Sequence, residues 1–278
     1  MLNLPEMTIV QNRYKITTTV NAKYSLKINH LYSNNLNIYG DLGNIITLQH
    51  HAELQGIDLE VVHTEIGDPF IEADIYFIGG GQDRDQILVY EDLLKHKEKV
   101  KNEVEKGKIF LLICGGYQLF GTHFIDAEGN TLEGLGILDV ETKALDARVD
   151  SRCIGNLIVE MSDEFVNHWY IDTAFSKYLI GFENHGGQTK FISLNDSNNA
   201  KPIGKSIKGF GNNSSDHLEG CFYKNIIGSY CHGSLLPKNP HLAIALLKKA
   251  VKNKYKDVEW KDLSLDIEKQ AHQYILNR

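Results

Sequence analysis

Cys114 closes the apolar run KIFLLIC (108–114) and is followed at once by Gly115 and Gly116. A strand that ends in a thiol and turns on glycines into a helix beginning near Tyr117 lifts that thiol above a sheet edge, as a nucleophile elbow does. The amino end of the helix then favours the thiolate, the reactive form. The competing reading is a packed free cysteine, since a cysteine behaves as a small hydrophobe. A thiolate attacking an amide needs donors for the oxyanion it creates, and free backbone N–H groups commonly supply them. IGGGQDRDQ (78–86) offers three glycines in a row, so Gly80 or Gly81 N–H can converge with Gly115 N–H. Its plainer reading is a loop entering a helix capped by Asp83 or Asp85.

A base is required next, and the chain has 12 histidines. His232, in NIIGSYCHGSLLP (225–237), ends an apolar strand and precedes Gly233, so its placement mirrors that of Cys114. Alternation along the strand turns Cys231 to the opposite face. His185 in FENHGG (182–187) is the rival base, flanked by Glu183 and two glycines.

These residues require a sheet to hold them. YSLKINHLY (24–32), IDLEVVHT (57–64), ADIYFIGGG (73–81) and KIFLLIC read as strands. GNIITLQHHAELQG (43–56) and the charged periodic stretch from Asp85 to Lys106 read as helices, closed by Gly56 and Gly107. Strands alternating with helices imply an α/β fold, a mostly parallel sheet covered on both faces. Further on, 176–192 reads as strands broken by turns, and 217–233 as a hairpin turning at Lys224–Asn225. NPHLAIALLKKAVKNKY (239–255) reads as a helix with a basic last turn. The expected organisation is an extension over 1–23, one domain over 24–260 and a helical tail over 261–278.

Composition narrows the function. The chain of 278 residues carries a net charge of −7 and a pI near 5.9, which gives no basic footprint for nucleic acid. No stretch reaches the roughly 20 apolar residues of a membrane helix, and the amino end lacks a signal pattern. Four widely spaced cysteines fit neither a disulfide scaffold nor a zinc ribbon, so the expected setting is cytoplasmic. The histidines lack metal-ligand spacing. PIGKSIKG (202–209) contains Gly-Lys-Ser, but Asn199 stands where a phosphate loop needs its first glycine.

Taken together, ICGGYQLFG, IGGGQDRDQ, FENHGGQT and GSYCHGSLLPKNP resemble the class I glutamine amidotransferases, and more narrowly the cobyric acid synthase-like group. LNIYGDLGNI (36–45) and YKNIIGSYCHGSLLPKNP (223–240) are similar to the glutaminase subunits of lipid II isoglutaminyl synthases. The likeness covers about residues 25 to 260. It implies a flavodoxin-like sheet, Cys114 as nucleophile, His232 as general base, and Gly81 and Gly115 amides at the oxyanion. It further implies Arg152 in SRCIGN as the residue holding L-glutamine, with Arg148 close by as the alternative. The implied partner is a Mur ligase-like synthase subunit that takes the ammonia, carries ATP and Mg, and acts on lipid II; no cofactor is implied for this chain. The wider class places a glutamate two residues after the histidine, and here that position is Ser234. The missing acid is then Asp41, Glu183 or a group of the partner. Other readings are a glutaminase for a different acceptor such as a corrinoid, a non-catalytic scaffold of the same fold, and a cysteine peptidase.

Overall fold

The computed structural model describes residues 22–38, 40–126, 129–145, 152–193 and 199–278. Its first half alternates as the apolar runs require. β1 (Tyr24–Leu31), α1 (Leu42–Gln55), β2 (Ile57–Thr64) and β3 (Ile75–Ile78) are followed by α2 (Asp83–Lys95), α3 (Lys97–Glu105), β4 (Ile109–Ile113) and α4 (Gly115–Phe120). β3 and β4 are buried at every residue, the pattern of strands covered on both faces. α1 stops at Gly56, whose φ of 73° lets its N–H reach back to Ala52 and Glu53 carbonyls.

The second half adds β5 (His123–Ile125), β6 (Thr131–Glu133), β7 (Val140–Ala144), β8 (Cys153–Met161), α5 (Asp163–Trp169), β9 (Tyr178–His185), β10 (Gly187–Phe191), β11 (Gly204–Lys208) and β12 (Leu218–Glu219). β13 (Cys221–Tyr223), β14 (Ile226–Ser229), α6 (Leu235–Lys238), α7 (Pro240–Lys254) and α8 (Asp266–Leu276) complete the chain. The principal sheet runs β13-β14-β4-β3-β1-β2, and every pair in it is parallel except β13 with β14. Two four-stranded sheets, β10-β7-β5-β6 and β12-β11-β8-β9, lie beside it. α1 packs with α6 and α7, whereas α4 packs on β3, β4 and β14. Tyr76 stacked on Phe110 at 4.6 Å ties β3 to β4 within the core.

Several elements differ from the sequence reading. The long helix of 85–106 is two helices that part at His96, with φ −100° and ψ 3°. No glycine or proline marks the break. His96 instead lies against the Phe70 ring, a contact that no local pattern encodes, and 3.8 Å from Asp92 one helical turn before it. Gln82 stands at the N-cap of α2, one residue before the helix opens, so neither Asp83 nor Asp85 is its cap. α4 begins at Gly115, immediately after the thiol, rather than near Tyr117. The 217–233 hairpin is shorter than its sequence suggests: it turns at Lys224–Asn225, but Gly220 (φ 59°) diverts β12 into another sheet. Gly204, Lys205 and Ser206 lie within β11, in keeping with the rejection of this segment as a phosphate loop. The first 21 residues, Arg148 and the other residues of 146–151 lie outside the described residues.

Candidate active site

Register brings the chemistry to one edge. Ile78 pairs with Leu112 across β3 and β4, and Ser229 pairs with Ile113 across β14 and β4. The residues that follow each strand, Gly79–Gly81, Cys114 and Tyr230–His232, therefore emerge together at the carboxyl edge of the parallel strands, where open α/β sheets place their ligands. Cys114 has φ 51° and ψ −103°, a backbone conformation that costs a non-glycine residue on the order of 1–3 kcal/mol. Its N–H donates to Ser229 O at 2.9 Å, and Gly116 N–H donates to Gly79 O at 3.2 Å, so two neighbouring strands hold the turn. Glycine is required at 116 by close approach, since a Cβ there would lie 2.7 Å from Ile78 Cγ2 and 2.8 Å from Ile78 O; one on Gly115 would lie 2.5 Å from the movable Gln86 Nε2.

Gly80 sits between Cys114 and His232. A Cβ placed on it would stand 2.7 Å from His232 Cε1 and 3.2 Å from Cys114 Cβ. His232 is fully buried, and its main chain is fixed by bonds in both directions with Phe182. Burial pulls the imidazole pKa down, but the neighbouring Cys114 and Asp41 side chains outweigh it and raise it to about 10. The surroundings of His232 thus favour the protonated ring. Asp41 is also fully buried; its Oδ1 is 3.9 Å from His232 Nδ1, and its Oδ2 accepts Gly80 N–H at 2.7 Å.

The other sequence candidates separate cleanly. Because Gly80 N–H is committed to Asp41, Gly81 is the residue of the turn that faces the pocket beside Cys114. Glu183 spends both oxygens on the amides of Phe210 and Gly211, at 2.7 and 3.0 Å, and its imidazole neighbour is His185 at 3.8 Å. It anchors the 209–211 turn and does not reach toward His232. His185 lines the pocket but lies flat on Tyr230 at 3.7 Å, with Nδ1–H donating to Gly187 O. Arg152 stands exposed on the pocket wall, held by Asn184 through Nε to Oδ1 and Nη2 to O, both 3.2 Å.

The pocket has a volume of about 350 Å³, at the lower end of the range of small-molecule sites. Gln86, Gln118, Tyr90 and Asp126 also line it. Gln118 Nε2 donates to the Tyr230 hydroxyl, which bonds Thr189 Oγ1 in turn, so a buried polar network backs the site. Gln86, Gln118 and Tyr230 carried no signal strong enough for a sequence reading to select them. Tyr230 alternates with His232 on the same strand extension, and Gln118 follows Cys114 by one helical turn. Among the described residues no cluster of three metal-ligating side chains occurs, and no helix is long and apolar enough to cross a membrane.

The arrangement of sheet and elbow is that of the glutamine amidotransferase fold: the structure of PurLQS from Thermotoga maritima superposes with a TM-score of 0.51 over 82% of this chain and 99% of that one, at 15% identity. Residues 27–240 match the family model of the CobB/CobQ-like glutamine amidotransferase domain, and the chain belongs to that family. It is 40% identical over 258 residues to the Staphylococcus aureus (strain N315) protein named lipid II isoglutaminyl synthase (glutamine-hydrolyzing) subunit GatD, covering 92% of this chain and 96% of that one. The protein of the same name from Streptococcus pneumoniae (strain R6) is 37% identical over 260 residues, covering 93% and 90%.

Proposed function

We propose that this chain is the glutaminase subunit of a lipid II isoglutaminyl synthase. It releases ammonia from L-glutamine and passes it to a Mur ligase-like synthase subunit, which amidates the D-glutamate of the peptidoglycan stem peptide. The observation that carries the chemistry is the placement of the buried His232 against Cys114 across Gly80, with Cys114 on the wall of a pocket that also holds Arg152. The acceptor rests on the two relatives that match nearly end to end.

In this reading the Arg152 guanidinium takes the glutamine α-carboxylate, and Asp126 on the same pocket supplies a charge of the opposite sign for the ammonium. The Cys114 thiolate attacks the side-chain amide carbon, and Gly81 and Gly115 N–H groups receive the oxyanion. The C–N bond breaks as the His232 imidazolium gives its proton to the departing nitrogen, which leaves as ammonia. Neutral His232 then takes a proton from water, the hydroxide adds to the thioester, and collapse returns the thiolate and releases glutamate. Forming the new amide from a carboxylate needs ATP and Mg, which belong to the synthase subunit.

The test is glutamate release by the chain with and without its co-purified synthase. Cys114→Ala in the complex is expected to abolish release while thermal unfolding stays that of a folded protein. Undiminished release by that variant would remove Cys114 from the mechanism. Folded complex that forms ammonia but leaves lipid II unamidated would leave the glutaminase standing and remove the acceptor.

A further inference from the structure

Position 234 lacks the glutamate that the wider class places there, and the structure shows what its serine does instead. Ser234 Oγ donates to Gly40 O, and a Cβ on Gly43 would lie 2.8 Å from Ser234 Cβ, so the 40–43 turn is pressed against Ser234. That turn carries Asp41 under the glycine loop, where a Cβ on Gly79 would meet its Oδ2 at 2.8 Å. One carboxylate thereby touches both halves of the site, Gly80 N–H through Oδ2 and His232 Nδ1 through Oδ1.

We propose that Asp41 is the positioning residue of this site, orienting His232 and locking the oxyanion turn at once, and that Ser234 holds it in place. With Nδ1 turned to the carboxylate, Nε2 is left for Cys114, the division of labour that a triad acid enforces. The 3.9 Å separation is long for a hydrogen bond, and catalytic bonds of this kind commonly tighten only once substrate is bound. Fixing the Gly79–Gly80 peptide also fixes the position of the next residue, Gly81, at the pocket wall. The acid has thus moved from the histidine's own segment to the turn before α1, and a serine at the vacated position binds the turn that replaced it.

The inference rests on the glutaminase reading, and the test separates the two. Asp41→Asn keeps the side-chain size and an acceptor for Gly80 N–H but removes the charge facing His232. In the full chain with its synthase, kcat for glutamate release is expected to fall about 10- to 100-fold, KM to stay within about twofold and the unfolding temperature to change little. The basic limb of the kcat–pH profile reports loss of the His232 proton, so it moves to lower pH when the carboxylate charge goes; a merely structural change leaves it in place. Ser234→Ala, which retains every titrating group, is expected to lose several-fold in kcat with the limb moved in the same direction. An Asp41→Asn enzyme with the wild-type limb and kcat overturns the proposal, and so does an unmoved limb in Ser234→Ala should Asp41→Asn fail to fold. A wild-type complex that releases no glutamate, or one whose release survives Cys114→Ala, instead overturns the glutaminase reading.

Discussion

Gly80→Ala adds one methyl group at the narrowest point of the site. The new Cβ would stand 2.7 Å from His232 Cε1 and 3.2 Å from Cys114 Cβ. Gly80 is absent from the positive-φ glycines, so alanine meets no backbone penalty and the effect is steric alone. Carbon atoms in good contact lie about 3.5 Å apart, so the imidazole must withdraw by about 0.8 Å or the glycine turn must lift by as much. Neither yields easily: the ring is buried, its main chain is bonded to Phe182, and Gly80 N–H is bonded to Asp41. Overpacking of this kind costs about 1–3 kcal/mol, or about 2–4 °C of unfolding temperature for each kcal/mol in a domain of this size. Misplacement approaching 1 Å costs about 100-fold in rate, so kcat is expected to fall by about two orders of magnitude with KM nearly unchanged. Two companion substitutions calibrate the result. Gly155→Ala meets nothing within 4 Å and is expected to match the wild type, whereas Gly115→Ala presses on the movable amide of Gln86 and falls between. The assay is glutamate release by the complex, followed with glutamate dehydrogenase. If Gly80→Ala turns over as fast as Gly155→Ala, the base and nucleophile do not flank Gly80 as described.

Three further outcomes are expected. His232 has its folded pKa raised to about 10 from 6.5, so the stability it contributes is complete below about pH 6.5 and lost as pH rises toward 10. Cys114→Ala removes the foremost influence raising that value and leaves burial to oppose the charge; NMR titration of the His232 ring should show a lower midpoint, and urea midpoints should fall less between about pH 7 and about pH 10 than in the wild type. Arg152→Ala is expected to raise KM for glutamine about 10- to 100-fold, the worth of a charge-assisted bond, and Arg152→Lys to restore little of it because the planar fork is lost; unchanged KM in both would clear Arg152 of the role. Glu183→Gln leaves two loop amides facing a single carbonyl oxygen and is expected to cost about 1–3 kcal/mol of stability with kcat held within a few-fold. A large drop in kcat with an unchanged unfolding temperature would return Glu183 to the base-orienting role.

What could be read from the chain follows the range of the interactions involved. β1, β2, β3 and β4 are written as apolar runs bounded by turn residues, so their existence and parallel pairing were legible. The placement of Cys114 and His232 at one sheet edge was legible for the same reason, since each ends such a run beside a glycine. The break at His96 was not, because no glycine or proline marks it and the Phe70 ring it packs on lies far off in sequence. In the outlying sheets β5, β6 and β12 are only two or three residues long, and β11 shifts register on β8 between Ser206 and Lys208, which alternation cannot reveal. Within the site, Asp41 and Glu183 were equal candidates in the sequence. Only the folded turn shows one carboxylate beneath Gly80 and the other bonded to Phe210 and Gly211. Likewise, nothing local distinguishes Gly80 from Gly81 until Asp41 takes the amide of the former.

β4 and β14 are neighbours in the principal sheet, yet both outlying sheets are threaded through the chain between them. Such a contact is long in sequence, and long-range pairings form late and slowly. Synthesis runs from the amino end at about 5–20 residues per second, so the thiol strand and both glycine turns leave the ribosome well before the histidine does. A nascent chain, or one stalled before β14 docks, carries a cysteine with no imidazole beside it. Under the proposed mechanism glutamine consumption is thereby tied to completion of the sheet, and a half-folded subunit does not release ammonia.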